Sequence, residues 1–163
     1  MKTTMSRTLV PAALAAAALI APAQSGVAAA NPEPIEGSFP VPCPGFRIVL
    51  TADGKVGVVD LPGGRQKIIW PGLSITATAK SGESMTYEGA SGVTHTETLA
   101  DGGQYVTATG RNLITVPRAN GHPVGVYFTI GTVSWTLDRD GKEVGGMFTG
   151  TATVTDVCAA LAG

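Results

Sequence analysis

From Phe46 to the C-terminus, apolar and polar residues alternate in short runs separated by Gly, Asp, Pro and Ser. A period of two is the side-chain alternation of a half-buried strand, and no stretch of the body shows the 3.6-residue period of an amphipathic helix. FRIVLT and KVGVVD flank ADG, LSITATA and SMTYEGA flank KSGE, and VTHTETL and QYVTATG flank ADGG. Each pair predicts a hairpin whose turn uses the positive φ that glycine tolerates. LPGGRQKIIWPG, residues 61–72, predicts a corner or edge strand between two Pro-Gly turns, with the Trp70–Pro71 bond a candidate cis peptide.

Farther along, QYVTATGRNLITV predicts one long strand bent at Gly110, followed by a loop at RANGHP that holds His122. In VGVYFTIGTVSWTLD, Val124, Val126, Phe128 and Ile130 share one phase, whereas Val133, Trp135 and Leu137 fall in the other. A bulge near Gly131 would repair that slip inside a single strand. DRDGKEVGG then reads as a loop, FTGTATVT as the last strand and DVCAALA as one helical turn. In that last strand Phe148, Gly150, Ala152 and Val154 are expected to face inward, and Thr149, Thr151, Thr153 and Thr155 outward. Thr-x-Thr pairs recur at Thr76, Thr94 and Thr107, a spacing used in ice-binding arrays. Their unequal intervals instead predict ordinary wet strand faces.

The expected fold is therefore all-β: an antiparallel meander of about eight strands forming a closed or flattened β-barrel, with a two-sheet β-sandwich as the alternative. Cysteine placement supports closure. Cys43 and Cys158 are the only two, near the ends of the β region, and a bridge between them would join the start of the first strand to the end of the last.

The N-terminus adds a compartment. Lys2 and Arg7 precede an apolar run from Leu9 to Ile20, and Ala28 and Ala30 suit a cleavage site after Ala30, so residues 1–30 read as a secretory signal peptide. Residues 31–45, NPEPIEGSFPVPCPG, are Pro-rich and predict an extended strap leading into a single β domain over 46–163. Loss of the signal removes two basic residues and no acidic one, leaving nine basic against twelve acidic. Without a basic cluster, nucleic acid is not an expected partner, and no later segment is apolar and long enough to span a bilayer. The mature chain is expected to be extracellular, where the cysteines oxidise.

PCPGF, LPGGR, TATGRNL and TDVCAALA together resemble small uncharacterised secreted proteins of actinobacteria over most of residues 43–160. The resemblance implies export and a β domain. It transfers no site, because these motifs are structural punctuation.

Chemistry-bearing residues are sparse. THTETL places His95 and Glu97 on one strand face with Asp101 in the following turn, a pairing that suits general-base work or two ligands of a metal. No third ligand, GxSxG elbow, HExxH helix or phosphate loop accompanies them, and no cofactor is implied. Three readings follow: a non-enzymatic secreted domain that binds an envelope component or protein, a carrier of a small apolar ligand in an interior lined by Trp135, Phe128 and Val133, and a hydrolase or metal enzyme around His95 and Glu97.

Overall fold

The computed structural model describes residues 31–118 and 121–163; the expected signal peptide lies outside them. Ten strands and one helical turn follow in chain order among the described residues: β1 (Glu33–Cys43), β2 (Phe46–Leu61), β3 (Arg65–Ile69), β4 (Ser74–Ala79), β5 (Ser84–Tyr87), β6 (Val93–Thr98), β7 (Gln104–Val116), β8 (Gly125–Leu137), β9 (Glu143–Gly150), β10 (Thr153–Asp156) and α1 (Val157–Ala160). All ladders are antiparallel. The strand order is β10-β8-β7-β6-β3-β2-β4-β5, with β1 added to β2 and β9 to β8.

The all-β expectation holds, but the sheet does not close: β5 and β10 remain at the two ends of the path, and a closed barrel is excluded. The connectivity is not a simple meander either, because β2 pairs with β4 and β3 pairs with β6. Two sheet halves instead share the 16-residue β2, which resembles the sandwich alternative. Residues 46–56 of β2 lie against β1, and 48–53 also against β4, while 57–61 pair with β3. The expected ADG hairpin is thus a continuous strand that passes from one half to the other. The Pro-rich strap is a strand as well, paired with β2 from Glu33 to Cys43.

The β4–β5 and β6–β7 hairpins form as expected, with turns at residues 80–83 and 99–103. No cis peptide bond occurs among the described residues, so Trp70–Pro71 is trans.

One half supplies most of the core. Val41 and Cys43 of β1, Ile48 and Leu50 of β2, Ile75 and Ala77 of β4 and Tyr87 of β5 share an inward face, packed against Val126 and Phe128 of β8. The Tyr87 and Phe128 rings lie 4.5 Å apart. The opposite face is hydroxylated: Ser38 and Thr51 share a 2.8 Å hydrogen bond, Thr76 and Thr86 one of 2.9 Å, and Thr51 pairs with Thr76 across β2 and β4. Alternation in SITATA thus sends threonine to water and alanine inward.

The chain's end seals this core with α1 rather than with a strand. The expected last strand is divided into β9 and β10 by Thr151 and Ala152, and Val154 is 42% exposed instead of inward. Thr149, Thr151, Thr153 and Thr155 do face solvent. Val157, Cys158 and Leu161 are buried, and Asp156 caps the turn by accepting the Ala159 N–H at 2.9 Å. Cys43 and Cys158 are disulfide-bonded with Cα atoms 5.5 Å apart. They meet across the core, which is why their proximity does not require a closed sheet.

β7 and β8 form a long ribbon bent in the middle. Gly110 and Gly131 are cross-strand partners with φ of 87° and 124°, conformations that L side chains rarely adopt. The β7–β8 register runs unbroken through this pair, so the expected bulge at Gly131 is absent from that ladder. The irregularity lies between β8 and β9, at Ser134 and Thr136. Residues 143–146, expected in a loop, begin β9.

The bend is sharp. Tyr127 and Trp135 are eight residues apart, about 26 Å in an extended strand. Yet their ring centroids lie 5.6 and 6.1 Å from that of Phe148 in β9, which fills the angle between the two arms.

Candidate functional site

Between the two sheet halves lies a cleft of about 370 Å³. β1 contributes Ile35 and Phe39, β2 contributes Leu50 and Ala52, and the turn after β3 contributes Trp70. Leu113 and Ile114 of β7 and Trp135 of β8 line it from the other half. Small side chains create the space: Ala52, Ala90 and Ala108 are buried in its wall, and a Cβ added to Gly37, between Ile35 and Phe39 in β1, would meet nothing within 4 Å. Both tryptophans of the chain therefore border one cleft, although 65 residues of sequence separate them.

Among the described residues no ionisable side chain lines this cleft; Thr94, Asn112 and Thr115 supply polar groups. Asn112 is 6% exposed and donates an Nδ2–H to the Thr109 carbonyl at 3.1 Å. Gly92 makes room for it, since a Cβ there would overlap the carboxamide. The Gly92 N–H donates to the Arg111 carbonyl at 2.8 Å, holding the two backbones together.

Of the residues expected to line an interior, Trp135 borders the cleft. Phe128 is instead packed under Tyr87, with the Arg111 guanidinium 5.5 Å from its ring centroid, and Val133 is buried outside the cleft wall.

His95 and Glu97 border a separate polar depression of about 200 Å³ with Arg65, Gln66, Tyr105 and Thr107. Lys67 lies opposite His95, and Arg65 opposite Glu97, on β3. Asp101 does not join them; its Oδ1 accepts the Gly103 N–H at 3.0 Å in the hairpin turn. Among the described residues no group of three His, Cys, Asp or Glu side chains is placed to hold a metal ion.

A further pair was not legible in the sequence. His122 donates from Nε2 to Oε2 of Glu143 at 2.7 Å, and its Nδ1 lies 3.0 Å from the Pro123 carbonyl. The side chains are 16% and 4% exposed. The Pro123 carbonyl first, and the Glu143 carboxylate after it, hold the His122 imidazolium above the ordinary histidine range against the opposing effect of burial. The residues lie 21 apart in segments that both read as loops, so no motif linked them.

This is an all-β domain of two sheet halves with an uncharged cleft between them. Among the described residues no helix is long and apolar enough to cross a membrane. Comparison of the chain with protein-family models, with curated proteins and with solved structures finds no match.

Proposed function

We propose that the chain is an exported, non-enzymatic β domain that holds a small apolar ligand in the cleft between its sheet halves. The observation that carries this reading is the cleft itself: about 370 Å³, walled by aliphatic side chains and both tryptophans, with a few polar groups. Ligand sites have this composition and span about 300–1,000 Å³. Export is supported by the pattern of residues 1–30 and by the disulfide, a bond that persists in oxidising compartments.

The His95–Glu97 depression supports an enzyme less well. Both side chains are exposed and face cations on β3, and among the described residues neither a third ligand nor a nucleophile with an activating base is assembled there.

The test is a titration with N-phenyl-1-naphthylamine, an uncharged dye that brightens in apolar surroundings. Saturable dye emission excited through tryptophan is the expected result. Dye that stays dark, with unchanged tryptophan emission, overturns the reading.

A further inference from the structure

The cleft's polar groups say what kind of molecule it takes. We propose that its ligand is uncharged, of roughly ten to twenty non-hydrogen atoms, and carries one polar group that hydrogen-bonds to Asn112 while its apolar body lies against Trp70 and Trp135. This rests on the cleft being a ligand site, as proposed above.

Three observations set that chemistry. The first is charge. Among the described residues the wall holds no ionisable side chain, so a carboxylate, phosphate or ammonium inside would give up its hydration without an ionic partner, at a large cost. Uncharged molecules carry no such penalty.

The second is the anchor. Among the described residues Asn112 is the buried side chain of the wall that offers both donor and acceptor groups at an amide, and its hydrogen bond to the Thr109 carbonyl uses one N–H. Its position is fixed from behind by the bare backbone of Gly92, where a methyl group would displace it. A polar group held at that depth discriminates strongly, because a ligand that cannot pair with it leaves it desolvated. An alcohol, ketone or amide satisfies it; a plain hydrocarbon does not.

The third is size. At about 30 Å³ for each water-sized unit, a 370 Å³ space holds roughly a dozen such units, and covalently bonded atoms, which overlap, fit in somewhat larger number.

Because the two tryptophans of the chain both border the cleft, intrinsic fluorescence reads this site directly. The experiment compares 1-decanol with decanoate at pH 8, where the carboxylate is ionised. Decanol is expected to shift the emission saturably and to bind at least tenfold more tightly than decanoate. Asn112→Leu is expected to weaken decanol about tenfold. In case that variant does not fold, the side-chain amide resonance of Asn112 in the unsubstituted protein is followed by NMR and is expected to move on adding decanol.

Decanoate binding as tightly as decanol overturns the neutral-ligand inference. Decanol affinity unchanged in folded Asn112→Leu, or an amide resonance indifferent to decanol, overturns the anchor. In these cases the naphthylamine dye still binds, and the cleft survives as a ligand site. If the dye does not bind either, the underlying reading falls with the inference.

Discussion

His122 and Glu143 meet at 2.7 Å although they belong to opposite ends of β8: His122 lies three residues before its first residue, and Glu143 pairs with Leu137, its last. The pair can form only because the β7–β8 ribbon folds back at Gly110 and Gly131. It fastens the tip of the ribbon to the start of β9, with Phe148 held between the arms by Tyr127 and Trp135. Trp135 also borders the cleft, so the clasp and the candidate site share a wall.

The clasp predicts a pH dependence of stability. The folded-state pKa of His122 is raised above 6.5, so the stabilisation is fully present below that value and is lost as pH rises through the raised one. Thermal midpoints measured from pH 5.5 to 9 are expected to show an alkaline fall in the unsubstituted protein that is diminished in His122→Gln. Parallel curves would show that the pair does not fasten the ribbon.

The disulfide closes a loop of 115 residues and is expected to contribute about 4–5 kcal/mol by restricting the unfolded chain. Cys158→Ser, or reductant, should lower the denaturant midpoint accordingly. Intact mass after alkylation under native conditions should show no added label before reduction and two labels after it.

At the ribbon's bend, a Cβ on Gly131 would lie 2.9 Å from the Cα of Ala152, at a φ of 124°. Gly131→Ala is therefore expected to cost about 2–3 kcal/mol, through both strain and collision. Chemical denaturation measures it, and a loss below about 0.5 kcal/mol, typical of a surface change, would contradict the bend.

Gly37 offers a way to fill the cleft without disturbing its wall. It shares a strand face with Ile35 and Phe39, and its added Cβ meets open space. Gly37→Leu should abolish binding of the naphthylamine dye while leaving the thermal midpoint within a few degrees of the unsubstituted protein. Undiminished dye binding would place the dye elsewhere.

The fold was legible wherever local pattern decides structure. SITATA and SMTY alternate cleanly around a four-residue turn and form the expected hairpin; VTHTET and QYVTAT do likewise. Gly110 was readable as a bend, and the two cysteines as a staple. ADG misled because a glycine within a strand and a glycine in a turn look alike in sequence. Only the pairing of residues 46–56 with β1 makes β2 continuous. The Pro-rich lead-in was read as extended, but its partner strand could not be named from its own residues. Closure failed for a similar reason: two cysteines report that chain positions are near, and not whether neighbouring strands or facing layers bring them there.

The candidate site was harder to foresee. Trp70, in the turn after β3, and Trp135, in β8, are far apart in sequence, Asn112 lies two residues past a glycine, and a cleft made by alanines leaves no motif. His122 and Glu143 depend on the folding back of a 13-residue strand, a three-dimensional event with no local signature.

β1 pairs with β2 on one side, and among the described residues its other side is an edge of the sheet. Pro34, Pro40 and Pro42 all occupy the same alternate positions of that strand, those whose backbone nitrogens turn away from β2. An incoming strand would find three of the five donor positions on this side without a hydrogen. An eleven-residue edge that would otherwise seed fibril growth is thus made a poor template, a safeguard against aggregation written into the backbone itself.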